Sequence, residues 1–244
     1  MFARLVWPAL GAGCAAGLVL AVLQVFLTTP IILHAEVYET AGLQTPSLMP
    51  ATYIVDEPAL VLFIHGESHE GAEWAPAGGL ERTLYSSLAA VLTGVGFALL
   101  LVAAMALKGG PVTARSGLAW GAAGFVAFAL APALGLPPEL PGSAAAELVS
   151  RQIWWTGTVI ATAMGLAAML LSGSRLWLAA GIALIALPHI LGAPHPGGYA
   201  STAPAELAGH FAAASLATSA VFWAVLGSLA GLLMQRMDGQ RQPV

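Results

Sequence analysis

Charged residues are spaced so widely along this chain that most of it can fold only as membrane-spanning helix. Arg4 and Glu36 enclose 31 uncharged residues, Arg82 and Lys108 enclose 25, Arg115 and Glu139 enclose 23, and Arg151 and Arg175 enclose 23. A further 30 separate Arg175 from Glu206, and 29 separate Glu206 from Arg236. A helix needs about 20 apolar residues to cross the hydrocarbon core of a bilayer. Six spans follow. The fifth is the weakest, because only residues 176–193 read as helix before Pro194, and Pro188 and His189 interrupt them. Five spans is the fallback. Charged residues make up 8% of the 244, against about a quarter in a soluble domain. So few charges cannot wet the surface of a fold this size, which excludes a soluble enzyme and a disordered chain. One Lys and seven Arg leave no basic patch for nucleic acid. The expected fold is all-α: a polytopic helical bundle forming one integral membrane domain, 1–244, with the lipid bilayer as its surroundings.

The first uncharged stretch is about twice the 7–15 residues of a signal-peptide core, so it reads as a span and not as a cleaved leader. Placing the N-terminus in the cytoplasm puts Arg4, Lys108, Arg115, Arg175, Arg236 and Arg241 inside and only Arg82 and Arg151 outside. That arrangement satisfies the positive-inside rule. Eleven of the twelve acids then fall outside, and the outer face carries −9 against +5 inside. A surface this negative would concentrate cations; the plainer alternative is that outer loops tolerate acids, because the rule counts only Lys and Arg. The inner connections are short, so the chain reads as three hairpins, each entering from the cytoplasm. One long outer loop, 35–80, is acidic and bears histidines; its apolar run 59–64 is too short to span and suits a strand or an interfacial dip.

The hairpins resemble weak repeats. Each odd span has a proline near its outer end (Pro30, Pro132, Pro188), followed six or seven positions later by Glu36, Glu139 or His195. Each even span opens with a glutamate (Glu81, Glu147, Glu206), and four residues on stand Tyr85, Arg151 and His210. Triplication would aim three polar outer ends at one axis. Glutamate is also simply a favourable first-turn residue, because it opposes the helix dipole.

All six histidines lie in or near the outer half. The stretch from His65 through His69 to Glu73 gathers two imidazoles and three carboxylates in nine residues. That donor set suits cobalt, nickel or zinc, and the single cysteine, Cys14, excludes a four-thiolate site. Gly66 and Gly71 make the stretch a loop suited to capture and release; an ordinary solvated loop is the plainer alternative. Ionisable groups at membrane depth mark function by default. His34, Glu36, His189, His195, Glu206 and His210 are therefore candidate metal donors, a set of which could form one shared nitrogen and oxygen site near the outer mouth, although each taken alone could be an interfacial side chain. Trp74, Trp154 and Trp155 suit an aromatic belt. The chain has no GxxxxGK[ST] phosphate loop, HExxH or GxSxG motif, so nothing points to an enzyme.

Six segments resemble the CbtA family: His34-Ala35-Glu36-Val37-Tyr38-Glu39, Gly79-Leu80-Glu81-Arg82, Leu136-Pro137-Pro138-Glu139-Leu140-Pro141-Gly142, Arg151-Gln152-Ile153-Trp154-Trp155, Pro188-His189-Ile190-Leu191-Gly192-Ala193-Pro194-His195 and Pro204-Ala205-Glu206-Leu207. The resemblance runs nearly end to end. It implies a subunit of a bacterial inner-membrane cobalt permease that takes up Co2+ for cobalamin synthesis, with a small membrane partner, CbtB. It implies no prosthetic group, since the metal is cargo, and Ni2+ is a possible alternative cargo. It also implies five spans, against six from the charge gaps. Two other readings stay open at this stage. One is a scaffold or metal-loading subunit of a transport complex; the other is a membrane haem oxidoreductase using histidine pairs such as His34 and His210.

Overall fold

The computed structural model describes residues 2–44, 76–198 and 201–239. Helix α1 (Phe2–Leu23) runs through a π-helical turn, Gln24–Thr28, into α2 (Thr29–Gln44). Then come α3 (Leu80–Lys108) and α4 (Ala114–Phe125), the second passing through another π-turn, Val126–Leu130, into the single turn α5 (Ala131–Ala133). The chain continues with α6 (Leu148–Leu171), α7 (Arg175–Leu191) and α8 (Ala205–Gly239). Among the described residues the only β-pairing is an isolated bridge between Ser143 and Ser201. The ends of α4–α5 and α7 and the starts of α3, α6 and α8, assigned outward by the charge rule, are termed the outer end.

The helical bundle agrees with the charge gaps. Among the described residues, five stretches are long and apolar enough to cross a membrane: Leu5–Tyr38, Leu80–Lys108, Ala114–Ala133, Leu148–Leu171 and Ala205–Gly239. The fifth expected span is α7, whose 17 residues extend about 25 Å, short of the roughly 30 Å hydrocarbon core. It runs antiparallel to α6, with Gly181 against Gly165 and Pro188 against Trp154. The expected loop 35–80 begins as helix, since α2 carries His34 and Glu36 on to Gln44. The run 59–64 lies outside the described residues.

Both π-turns end two residues before a proline, Pro30 or Pro132. A proline has no N–H to give the carbonyl four residues back, and its ring crowds that carbonyl. Widening the preceding turn by one residue relieves the clash without breaking the helix. Pro188 sits in the last turn of α7, where the helix simply ends at Gly192 with φ +86°.

The expected hairpins are only partly packed pairs. Helix α3 does lie along α1, but α4 packs on α8 and α6 packs on α7, while α8 also lies against α1. Glycine placement is the physical reason. In a bilayer, helix association rests on close packing and not on water exclusion, and glycines let backbones touch. Gly13 faces the Val95 backbone, where an added Cβ would lie 2.5 Å from Val95 Cα, and Gly117 faces Gly227 and Gly231. The resulting core joins Ala12 and Ala16 of α1, Val102 and Met105 of α3, and Trp223 and Leu226 of α8. A smaller cluster at the outer end packs Leu140 and Ala203 against Ile31 and Ala35.

Helix α6 is set by its cap. The Glu147 carboxylate accepts from the N–H groups of Val149 (2.8 Å) and Ser150 (2.7 Å) and from the Ser150 hydroxyl (2.8 Å). The Ser150 N–H, then the Val149 N–H, then the hydroxyl hold its pKa below the ordinary 4.5. A carboxylate with a depressed folded pKa stabilises above its unfolded value, and that stability is lost as the pH falls through the folded one. Amide exchange at Val149 and Ser150, corrected for intrinsic rates, is therefore expected to speed up as the pH drops below 4.5. Glu147→Ala is expected to show the fast exchange already at neutral pH.

Candidate functional site

The outer end carries two glutamate–arginine pairs, each joining an odd helix or the segment after it to the first turn of the next long helix. Glu36, on α2, is held in a fork by Arg82, with Oε1 2.6 Å from Nη2 and Oε2 3.2 Å from Nη1. Glu139, in the segment after α5, accepts from Arg151 Nη2 at 2.6 Å. The second pair is the more enclosed, its side chains 28% and 29% exposed against 35% and 36%. The Nε of Arg151 is buried and has no hydrogen-bond partner among the described residues.

The Glu139–Arg151 pair lies in the wall of a cavity of about 680 Å³ between α5, α6 and α8. Gln152 and Thr156 of α6 and Ser215 and Ser219 of α8 add amide and hydroxyl groups, while Phe128, Pro132 and Trp155 supply the apolar part. Carboxylate, amide and hydroxyl oxygens are donors for a divalent cation. Arg151 balances the Glu139 charge.

The candidate donors are spread along this end. His34 is exposed on α2, its ring centroid 5.5 Å from that of Tyr38. His189, half-buried in the last turn of α7, packs edge-on to Trp154 at 5.8 Å. Its Nε2 is buried without a hydrogen-bond partner among the described residues. His195 is exposed in the segment after α7; Glu206 and His210 are exposed in the first two turns of α8. Among the described residues no three of His, Cys, Asp and Glu come together as a group able to hold a metal ion. His65 and His69 lie outside the described residues. Trp155 is 38% exposed, as a belt residue would be. Trp154 instead turns inward, donating its Nε1–H to the Pro188 carbonyl at 3.2 Å and lying over Gly135.

The candidate metal donors leave out Arg82, Glu139, Arg151 and the hydroxyls of α8, although the repeat pattern sets Glu139 and Arg151 among the polar outer ends. A signal for the arginines was present: they are the only two basic residues that the charge rule puts outside. Each turns out to be matched to a glutamate.

The model of a family described as a probable cobalt transporter subunit, CbtA, matches residues 2–235 of this chain. No curated protein and no solved structure matches it.

Proposed function

This chain belongs to the CbtA family of probable cobalt transporter subunits, and we propose that within it the chain is the uptake permease subunit, moving Co2+ inward across the bacterial inner membrane to supply cobalamin synthesis. The family match over nearly the whole chain carries this reading. The acidic outer face and the cavity beside α6, which carries Glu139, Gln152, Thr156, Ser215 and Ser219 in an otherwise apolar wall, support it. In this reading the loop bearing His65 and His69 collects the ion. His34, Glu36, His189, His195, Glu206 and His210 then offer one or two donors at a time. No three of them come together among the described residues, so each would hold the ion by few contacts, and conduction needs sites weak enough to leave. The membrane potential favours inward movement of a divalent cation by about 4.6 kcal/mol per 100 mV, twice the single-charge value. No prosthetic group is required, and Ni2+ would use similar donors. The partner is the small membrane subunit CbtB.

The test is radioactive cobalt accumulation in cells lacking other cobalt importers, expressing this chain with and without CbtB. Accumulation above the empty-vector level, reduced by excess cold cobalt, is the expected result. No accumulation in either case, with the protein shown to be in the membrane, would overturn the permease reading and favour the scaffold. Combined His189→Ala and His195→Ala substitution is expected to lower accumulation severalfold at equal protein level. Unchanged uptake would remove both residues from the path.

A further inference from the structure

We propose that Phe128 is the permeation gate of this chain, its ring dividing a polar outer cavity from an apolar inner one along a single face of α6. The inference rests on the transport reading above. Helix α6 lends Gln152 and Thr156 to the outer cavity and Ala163, Ala167 and Leu170 to a second cavity of about 510 Å³ toward the inner end. These residues share one helical face, and Val159, which falls between the two sets, is buried. Phe128 lines both cavities.

The ring is held in an aromatic wall. It stacks on Trp223 at 5.5 Å with 21° between planes, meets Phe97 edge-on at 5.0 Å, and lies 6.4 Å from Trp155. An apolar constriction of this kind sheds water, and a divalent ion cannot cross it without its hydration shell. Lys108 is the charged residue in the lining of the inner cavity, so that cavity offers the ion a passage and no resting place.

The backbone supplies a way to open it. Phe128 is the middle residue of the second π-turn, Val126–Leu130. Pro132 has no N–H for the Phe128 carbonyl, so this helix carries one residue more than an α-helical turn needs. Pro132 holds the wide turn in place, so the Phe128 carbonyl stays without its α-helical partner and the helix can bend at this point, which would carry Phe128 out of the wall. The α6–α7 pair meets the rest of the bundle chiefly through this π-turn and α5, so the change falls where the two bodies join. The first π-turn provides an internal control. Its middle residue, Phe26, is 74% exposed, so a π-turn alone does not make a gate.

The experiment measures access and does not depend on transport. In a Cys14→Ser background, Ser215→Cys reports on the outer cavity and Ala167→Cys on the inner one. A charged, membrane-impermeant thiol reagent is applied to right-side-out vesicles. Ser215→Cys is expected to react and Ala167→Cys to stay protected. Adding Phe128→Ala should raise the Ala167→Cys rate by about tenfold or more, as expected for loss of a hydrophobic constriction. Phe26→Ala and Phe128→Leu should leave the inner cysteine protected, and an unchanged Ser215→Cys rate shows that the Phe128→Ala protein is folded. The gate is overturned if Ala167→Cys reacts readily with Phe128 in place. It is equally overturned if Phe128→Ala leaves that cysteine protected, or if Phe26→Ala exposes it as much. None of these outcomes bears on whether cobalt is carried.

Discussion

Gly117→Val is expected to leave little or no folded protein. A Cβ at Gly117 would press on the Gly227 carbonyl oxygen and lie 2.9 Å from Gly231 Cα, while one at Gly227 would lie 2.7 Å from Gly121 Cα. All of these neighbours are backbone, so no side chain can swing aside. The two helices would have to separate along their length. Overpacking a core where side chains can adjust costs about 1–3 kcal/mol, and here the whole α4–α8 seam must move. Between helices in lipid no hydrophobic drive offsets such a loss, because association rests on packing itself. The measurement is the thermal midpoint and elution profile of the purified protein in detergent. Gly96→Val is the matched control, since a side chain there meets nothing within 4 Å; it is expected to behave as the wild type. A Gly117→Val protein with wild-type midpoint and elution would show that α4 does not pack on α8 in this way.

That seam also marks where the sequence stops being legible. Helix positions could be read because long uncharged stretches at this composition have one stable solution in a bilayer: every backbone polar group must be satisfied within its own helix. Even the weakness of the fifth span was visible in Pro188, and α7 is the short helix. Helix partners could not be read the same way. Gly117, Gly121, Gly227 and Gly231 make the close approach, but the spacing of glycines along one helix does not say which other helix it meets. Chain order suggested α4 with α6 and α7 with α8, whereas the glycines bring α4 to α8. Proline gave a similar half-signal. Pro30 and Pro132 each follow a π-turn, while Pro188, in an equally apolar run, does not.

The candidate site divides along the same line. Histidines drew notice as members of a possible shared metal site, whereas no three donors come together among the described residues. Arg82 and Arg151 are not among the candidate site residues, although they alone among the basic residues fall outside by the charge rule. A cation kept on the outer end against that rule needs a local partner, and each has one. Charge bookkeeping therefore located the polar construction at this end better than the donor chemistry did.

For the more enclosed of those pairs, the expected result is that exchanging the partners restores the fold but not cobalt uptake. Arg151→Glu sets a second carboxylate beside Glu139 where an arginine stood at 2.6 Å. Two unit charges about 4 Å apart interact by roughly 4 kcal/mol at an effective dielectric near 20, so attraction becomes repulsion of that order. Arg151→Glu alone should lower the thermal midpoint and reduce uptake to the empty-vector level. Combining it with Glu139→Arg rebuilds an ion pair across the same gap, and the midpoint should recover most of the loss. Uptake should stay low, because the exchange carries the guanidinium to the position of the Glu139 carboxylate in the wall shared with Gln152, Ser215 and Ser219. A cation approaching that position meets a fixed positive charge in place of an oxygen donor. If the exchange restored uptake along with stability, Glu139 would serve only to hold α6 through Arg151, and the cavity would lose its place on the ion's path. If it restored neither, the ion-pair geometry itself would be at fault. The equivalent exchange at Glu36 and Arg82 separates the two ends of the argument: that pair is more exposed, so the midpoint should move less in either variant.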